Sequence, residues 1–558
     1  MPWLIATMLM PACTTLADDV FRYYPAIPLP GEIICVPPPA TAEEGMVMES
    51  LAGAAARATM EGRASVLVWE DLDYGAYPRW LQELSEAHSI PLRRMSLGDA
   101  VEELSREGVI KGYVVYRHDR SERPLHAAGP MDDSANSGTV IAGLRSGLLV
   151  EESLEDRYQR LGLRKLADAR RVSLEECLDR YDQVLSRRVM CVLDPRVRNA
   201  RSMAIACRSM VCSTAGDAYS RALRRCEPDS PVLGWGAGDE AAMTIPSSRA
   251  GLFQTATNWC HNLTVLSIEA LSPGIDMHWE GARQRPQAPP ADHYVNFTIT
   301  DGDNIQWAMG NFQEGGGGPH YYGNPRRGEV PYTWGLPAAG LAQLSPRTLR
   351  DILRDATPND DFVHYNGGGY FYPDLYGADR GDDEALLRHA RRLRAYCDLT
   401  GIRVVTFNFQ DWDGPDARRA CAIFAREIPG LLGILAFQYY PYSAGEGEMY
   451  WVRGAEGEAV PVVSCRKTIW ANTPRPNDAP PAQVAEALNG LAAGDDTLFS
   501  WVLVHAWSAF ADPETSAADA SAGAAIGYLP AVWAAERLDP TVRPVRADEL
   551  LLRLRDQR

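Results

Sequence analysis

From residue 294 the chain reads Tyr-Val-Asn-Phe-Thr-Ile-Thr-Asp-Gly-Asp-Asn (YVNFTITDGDN, 294–304). Apolar and β-branched residues run for one strand's length and then give way to an acidic glycine turn, the pattern of a buried strand followed by a polar loop. The same rhythm recurs downstream. Strand-like runs stand at 330–334, 362–365, 403–409, 432–437, 460–463, 498–504 and, weakly, 542–545. Helical patterns at 382–396, 416–427, 482–493 and 531–537 separate several of them, and a further one at 547–555 closes the chain. Seven or eight apolar strands alternating with helices over roughly 270 residues predict an α/β fold whose C-terminal part is a (β/α) barrel. A doubly wound open sheet is the alternative.

Working back from residue 294, the stretch Ala282–Pro290 (ARQRPQAPP) has three prolines in five residues and no apolar period. It predicts a linker over 282–291 that divides residues 21–281 from a barrel domain at 292–558. The N-terminal region reads as two or three smaller α/β units. Strands are expected at Ser65–Trp69, Val109–Tyr116 and Leu148–Val150. Helices are expected at Tyr77–Ala87, Ser137–Leu144, Ser173–Arg187 and Arg196–Met210, the third opened by a Ser173/Glu176 capping box. Residues 1–20 stand apart. Met1–Met10 is apolar and Thr15-Leu16-Ala17 resembles a cleavage site, yet no Lys or Arg precedes the run. An export signal and a cytoplasmic chain both stay open.

Composition narrows the function. The 558 residues carry 55 basic and 73 acidic side chains, a net charge of −18. Such a surface repels phosphate backbones and anionic lipid, so nucleic acid is not an expected partner. No segment is long and apolar enough for a membrane span. The eleven cysteines show no C-x2-C spacing, and no cofactor or metal motif is expected from them.

In a barrel, chemistry collects just past the C-terminal end of each strand. Those positions hold Asp301, Asp303, Asn304 and Trp307 after the first strand, Trp334 at the second, and Asn366, Tyr370 and Tyr372 after the third. Asn408 and Asp411 follow at the fourth, Gln438 and Tyr440 at the fifth, and His505 and Trp507 at the seventh. Amides and carboxylates take up hydroxyls, aromatic rings stack on sugar faces, and glycosidic cleavage needs two carboxyls. The expected catalytic groups are Asp301, Asp303 and Asp411, with the other residues binding a carbohydrate.

The stretch Gly367-Gly368-Gly369-Tyr370-Phe371-Tyr372-Pro373 meets the pattern G-x-G-Y-x-Y-P at every fixed position. In this, in Tyr294–Trp307, in Pro231–Trp235 and in Asn262–Val265, the chain resembles the GxGYxYP family of putative glycoside hydrolases. The resemblance implies a sugar-cleaving activity on a poly- or oligosaccharide. It brings no catalytic residues with it.

Other readings of the same residues remain. Asp301 and Asp303 could cap a turn, or with Asn304 offer hard oxygens to a cation. Glu446 and Glu448 lie in a flexible Gly-Glu-Gly-Glu loop, and Gly315–Gly318 reads as a lid or a plain linker. A carbohydrate-binding protein without turnover, and a metal-assisted hydrolase using Asp301, Asp303 and His505, are the competing functions. No G-x-S-x-G supports a serine hydrolase.

Overall fold

The computed structural model describes residues 21–281, 289–314, 317–471, 477–491, 497–510 and 525–558. The expected N-terminal signal, most of the expected linker and part of the Gly315–Gly318 loop lie outside them.

Residues 21–281 hold three small parallel sheets. Strands β1 (Glu32–Val36), β2 (Val66–Glu70) and β3 (Leu92–Arg94) pair in the order β2-β1-β3. Strands β4 (Gly112–Tyr116), β5 (Gly147–Glu151) and β6 (Lys165–Asp168) pair as β5-β4-β6. Strands β7 (Met190–Val192), β8 (Val211–Cys212), β9 (Pro231–Leu233) and β10 (Phe253–Thr255) pair as β10-β9-β7-β8. Most of these strands are buried along their whole length, which is why they read as apolar runs rather than alternating ones. The capping box forms as expected, Ser173 accepting from the Glu176 N–H and Glu176 from the Ser173 N–H, on a helix that spans Leu174–Tyr181. The expected helix at Arg196–Met210 is shorter, Arg201–Cys207. The Asp194 carboxylate takes the Arg196 N–H and the Arg123 guanidinium, and so holds the preceding residues in a loop.

The remaining strands form one curled, eleven-stranded sheet, so that the molecule is a mixed α/β fold of parallel sheets. Its strands are β11 (His293–Ile299), β12 (Tyr332–Leu336), β13 (Asp360–Tyr365), β14 (Val404–Phe409), β15 (Gly433–Gln438), β16 (Met449–Arg453), β17 (Ala459–Ser464), β18 (Lys467–Ile469), β19 (Asp478–Ala479), β20 (Leu498–Val504) and β21 (Val542–Pro544). The order is β16-β17-β15-β14-β13-β12-β11-β20-β18-β19, with β21 on β11. All pairings are parallel except β16 with β17. The expected strands fall within a few residues of β11–β15, β17, β20 and β21. The hairpin strand β16 and the short β18 and β19 were not read from the sequence. Helices Glu384–Thr400, Pro415–Glu427, Pro481–Asn489 and Ala547–Asp556 cover the sheet. Parallel strands bring their C-terminal ends to one rim, and the site stands there.

Candidate functional site

The end of β11 turns sharply. Asp301 has a φ of +60°, a left-handed conformation that costs a non-glycine residue energy and recurs at functional sites. Its carboxylate accepts from Thr300 Oγ1 at 2.5 Å and stays partly exposed. Asp303 is only 4% exposed, and its Oδ2 accepts from Asn366 Nδ2 at 2.7 Å. Asn366 itself has a φ of +48°, and its Oδ1 takes the Asn408 N–H at 3.1 Å. One amide thus ties together the ends of β11, β13 and β14. The capping role open to the aspartates falls to Asn304, whose Oδ1 accepts the Trp307 N–H at the start of the Ile305–Met309 helix.

The glycine-tyrosine signature follows β13 and docks on the N-terminal region. Gly367 has a φ of +66°. A Cβ on Gly369 would lie 2.0 Å from the Gln254 carbonyl oxygen. Only glycine admits that approach, and it lets Tyr370 pair with Gln254 in both directions, at 2.7 and 2.9 Å. The Tyr372 N–H then donates to Ser248 Oγ at 3.0 Å. The two tyrosines alternate along an extended stretch and turn toward the same carboxyls.

Tyr372 reaches Glu240. Glu240 opens the Glu240–Arg249 helix of the N-terminal region, next to the capping residue Asp239. Its Oε1 accepts from Tyr372 Oη at 3.0 Å and from Asn408 Nδ2 at 3.2 Å. Burial of the carboxyl pushes Glu240 up to about 7, helped by the charges of Asp301 and Asp239 and opposed by the Tyr372 and Asn408 hydrogen bonds. Burial, and then the charges of Glu240 and Asp301, push Asp303 well above the ordinary carboxylate range. The Tyr370 hydroxyl is raised by burial and by the same three acids, Asp303, Asp301 and Glu240. Two buried carboxyls pushed up beside a third acid favour keeping a proton in the cluster, which is the condition for acid and base roles to separate.

Glu240 was not among the residues expected from the sequence. The Pro- and Gly-rich stretch Pro228–Gly236 before it reads as a loop around one short strand, but nothing local tied residue 240 to the rim.

The other expected residues are placed differently. Tyr370 and Tyr372 are buried, so they shape the carboxyls instead of offering a ring face. Trp334, expected to bind substrate, is fully buried. Its indole donates to Asp360 Oδ1 at 2.8 Å and packs on Tyr528, so no face is left for a ligand. Asp411 is exposed with its carboxylate over Gly414, and its N–H donates to Asp374 Oδ2. Asp374 is raised to about 6 by burial. Gln438 donates to the Tyr440 carbonyl, and His505 lies flat on Trp470 with centroids 3.6 Å apart. Trp307 is buried edge-on between Tyr321 and Trp507. Glu446 and Glu448 are exposed, and Glu446 accepts from Asn477.

A cavity of about 490 Å³, lined by Trp279, Asp361, Arg403 and Asp548 among others, opens at the opposite end of the strands. Among the described residues no group of three or more His, Cys, Asp and Glu is arranged to hold a metal ion. No helix of the described residues is long and apolar enough to cross a membrane.

Comparison with curated proteins gives no match. Among solved structures, the crystal structure of a protein described as a putative hydrolase from Bacteroides thetaiotaomicron VPI-5482 superposes with a TM-score of 0.77. The two are 20% identical over 96% of this chain and 97% of that one, which establishes a shared fold over nearly the whole length. Residues 291–515 match the family model described as GxGYxYP putative glycoside hydrolase C-terminal domain. The strip from Gly367 to Pro373 that docks Gln254 and Glu240 lies inside that match, and over residues 291–515 this chain is similar to the C-terminal domain of the GxGYxYP family.

Proposed function

We propose that the chain is a glycoside hydrolase acting on a poly- or oligosaccharide, with its chemistry at the carboxyl cluster of Glu240, Asp301 and Asp303. The observation that carries the reading is Glu240, a carboxyl raised to about 7 beside the partly exposed Asp301. Glycosidic cleavage needs one carboxyl that still holds a proton at working pH and another that is ionised. Glu240 supplies the proton to the leaving oxygen. Asp301, fixed by Thr300, acts as nucleophile or base. Asp303 holds Asn366 and, through it, Asn408 against Glu240. Glu240 takes the place that the sequence reading gave to Asp411. The family's description and that of the structural neighbour support a hydrolase.

The same reading closes the curled sheet into a (β/α) barrel. Its support is the segment 459–469. The Cys465 N–H donates to Ala436 of β15, and the next N–H, of Arg466, donates to Trp501 of β20. The short link between β17 and β18 thereby reaches a strand on each side of the sheet.

Glu240→Gln, Asp301→Asn and Asp411→Asn, screened on oligosaccharides beside a thermal melt, test the proposal. The first two should each lose ~100-fold or more in turnover with the fold intact, since the amides cannot donate or accept the proton. Asp411→Asn should stay near wild type. Sugar binding without turnover in the wild type would instead favour a carbohydrate-binding protein.

A further inference from the structure

Two exposed tryptophans meet the short helix that follows Asp301–Asp303. Trp259 is 55% exposed and Trp507 is 44% exposed. Tryptophan is enriched among the residues that dominate binding surfaces, and both of these stand against one short helix beside the acids. The Trp259 loop is held firmly. Its N–H donates to Gln306 Oε1 at 3.1 Å, and Asn199 Nδ2 donates to the Cys260 carbonyl at 2.9 Å. Buried Asn258 exchanges two hydrogen bonds with the Trp235 backbone, at 2.7 and 2.9 Å. Trp507 rests edge-on against Trp307 at 5.2 Å and Tyr321 at 5.8 Å. Gln306 and Trp307 are neighbours on the short helix that follows Asp301–Asp303. The Trp259 backbone and the Trp507 indole therefore contact adjacent residues of that helix, one from the N-terminal region and the other from the rim after β20.

Charge narrows what they hold. The charges of Glu240 and Asp301 bear on Asp303 just before that helix, on a chain of net charge −18, which disfavours a uronate or sulfated chain. A flat indole matches the apolar face of a pyranose ring, as the rim aromatics do in general.

We infer that Trp259 and Trp507 are distal sugar platforms on either side of the carboxyl cluster, and that the ligand is an uncharged glycan of several units. This rests on the reading of that cluster as a glycosidase centre. Calorimetric titration of the full chain carrying Asp301→Asn tests it. The probes are β-1,4- and α-1,4-glucan, xylan and mannan oligomers from disaccharide to hexasaccharide, with oligogalacturonate as the anionic arm. Affinity should climb with length in a neutral series. Trp259→Ala and Trp507→Ala should each weaken the hexasaccharide roughly tenfold, while the disaccharide changes little. Trp259→Phe should recover part of the loss.

Unchanged length dependence in both alanine variants would overturn the platforms and leave the carboxyl reading standing. Tighter binding of oligogalacturonate would overturn the neutral class. Wild-type turnover that survives Glu240→Gln and Asp301→Asn would overturn the carboxyl reading instead. Absence of binding across the panel would overturn the platform proposal.

Discussion

Glu240 and Asp303 share one physical origin for their raised carboxyls. Burial raises each of them first, Asp301 adds its charge to both, and Asp303 feels the charge of Glu240 as well. Tyr372 works against this in Glu240, because its hydroxyl donates to the ionised carboxylate and favours it. A proton donor must carry its proton, so kcat/KM should fall as pH rises through the Glu240 value, near 7. Tyr372→Phe removes a bond that favours the ionised form. The Glu240 value then rises, and the alkaline limb of the pH–rate profile should move to higher pH. A limb that stays put or moves down would remove Glu240 from the acid role. Asp301 and Asn366 add backbone strain to the same few residues, both with positive φ, consistent with a site that the surrounding structure holds in place.

At the scale of elements, the signature is a strip that joins two sheets. Gly369 brings its backbone against Gln254 of β10, Tyr370 pairs with that residue, and Tyr372 reaches past it to Ser248 and Glu240. Gly369→Ala would drive a Cβ into a carbonyl oxygen, where neither backbone has a flexible end to move. The bridge should open at a cost of roughly 1–3 kcal/mol, as overpacking usually does. Urea denaturation should report the loss as a lower midpoint, and the Glu240-dependent limb should blur as Tyr372 is released. The strip itself was legible as a motif, because its glycines and tyrosines are contiguous. What it packs against was not, since Gln254 and Ser248 are ordinary residues more than a hundred positions away.

At the scale of the whole molecule, the N-terminal region and the rim share buried charge. Asp229 is fully buried and accepts from His389 Nδ1 at 2.7 Å, Tyr376 Oη at 2.8 Å and Arg392 at 2.8 Å. Burial alone would raise this carboxyl, but His389 and Arg392 hold it below the ordinary range. His389 packs under the signature against Phe371, with ring centroids 4.4 Å apart. Removing one partner of such a group strands the others without water. Asp229→Ala should cost about 3–5 kcal/mol, read as a large drop in melting temperature. It should also lower turnover more than a surface substitution of equal charge, because the Glu240 helix loses its footing on the rim. A melt within a degree or two of wild type would show that the junction does not depend on this cluster.

The sequence by itself determined most strands of the large sheet and the order of the polar residues at their ends. Apolar runs such as Leu498–Val504 carry their own period, and turns such as Thr300–Asn304 and Gly367–Pro373 carry their own backbone needs, so each could be read within a dozen residues. Membership of the rim for Asp301, Asp303, Asn366 and Asn408 followed from the parallel rule alone. Only the tertiary structure decided which of the rim residues meet. Trp334 turned inward to Asp360 and Tyr528, Asp411 turned to its own glycine turn, and Glu240 arrived from a helix of another sheet. Local pattern records propensity and burial, which neighbours in the chain share. A carboxyl's partners and its proton affinity depend on groups brought together across Gln254 and Tyr370, and that convergence leaves no mark in the order of the residues.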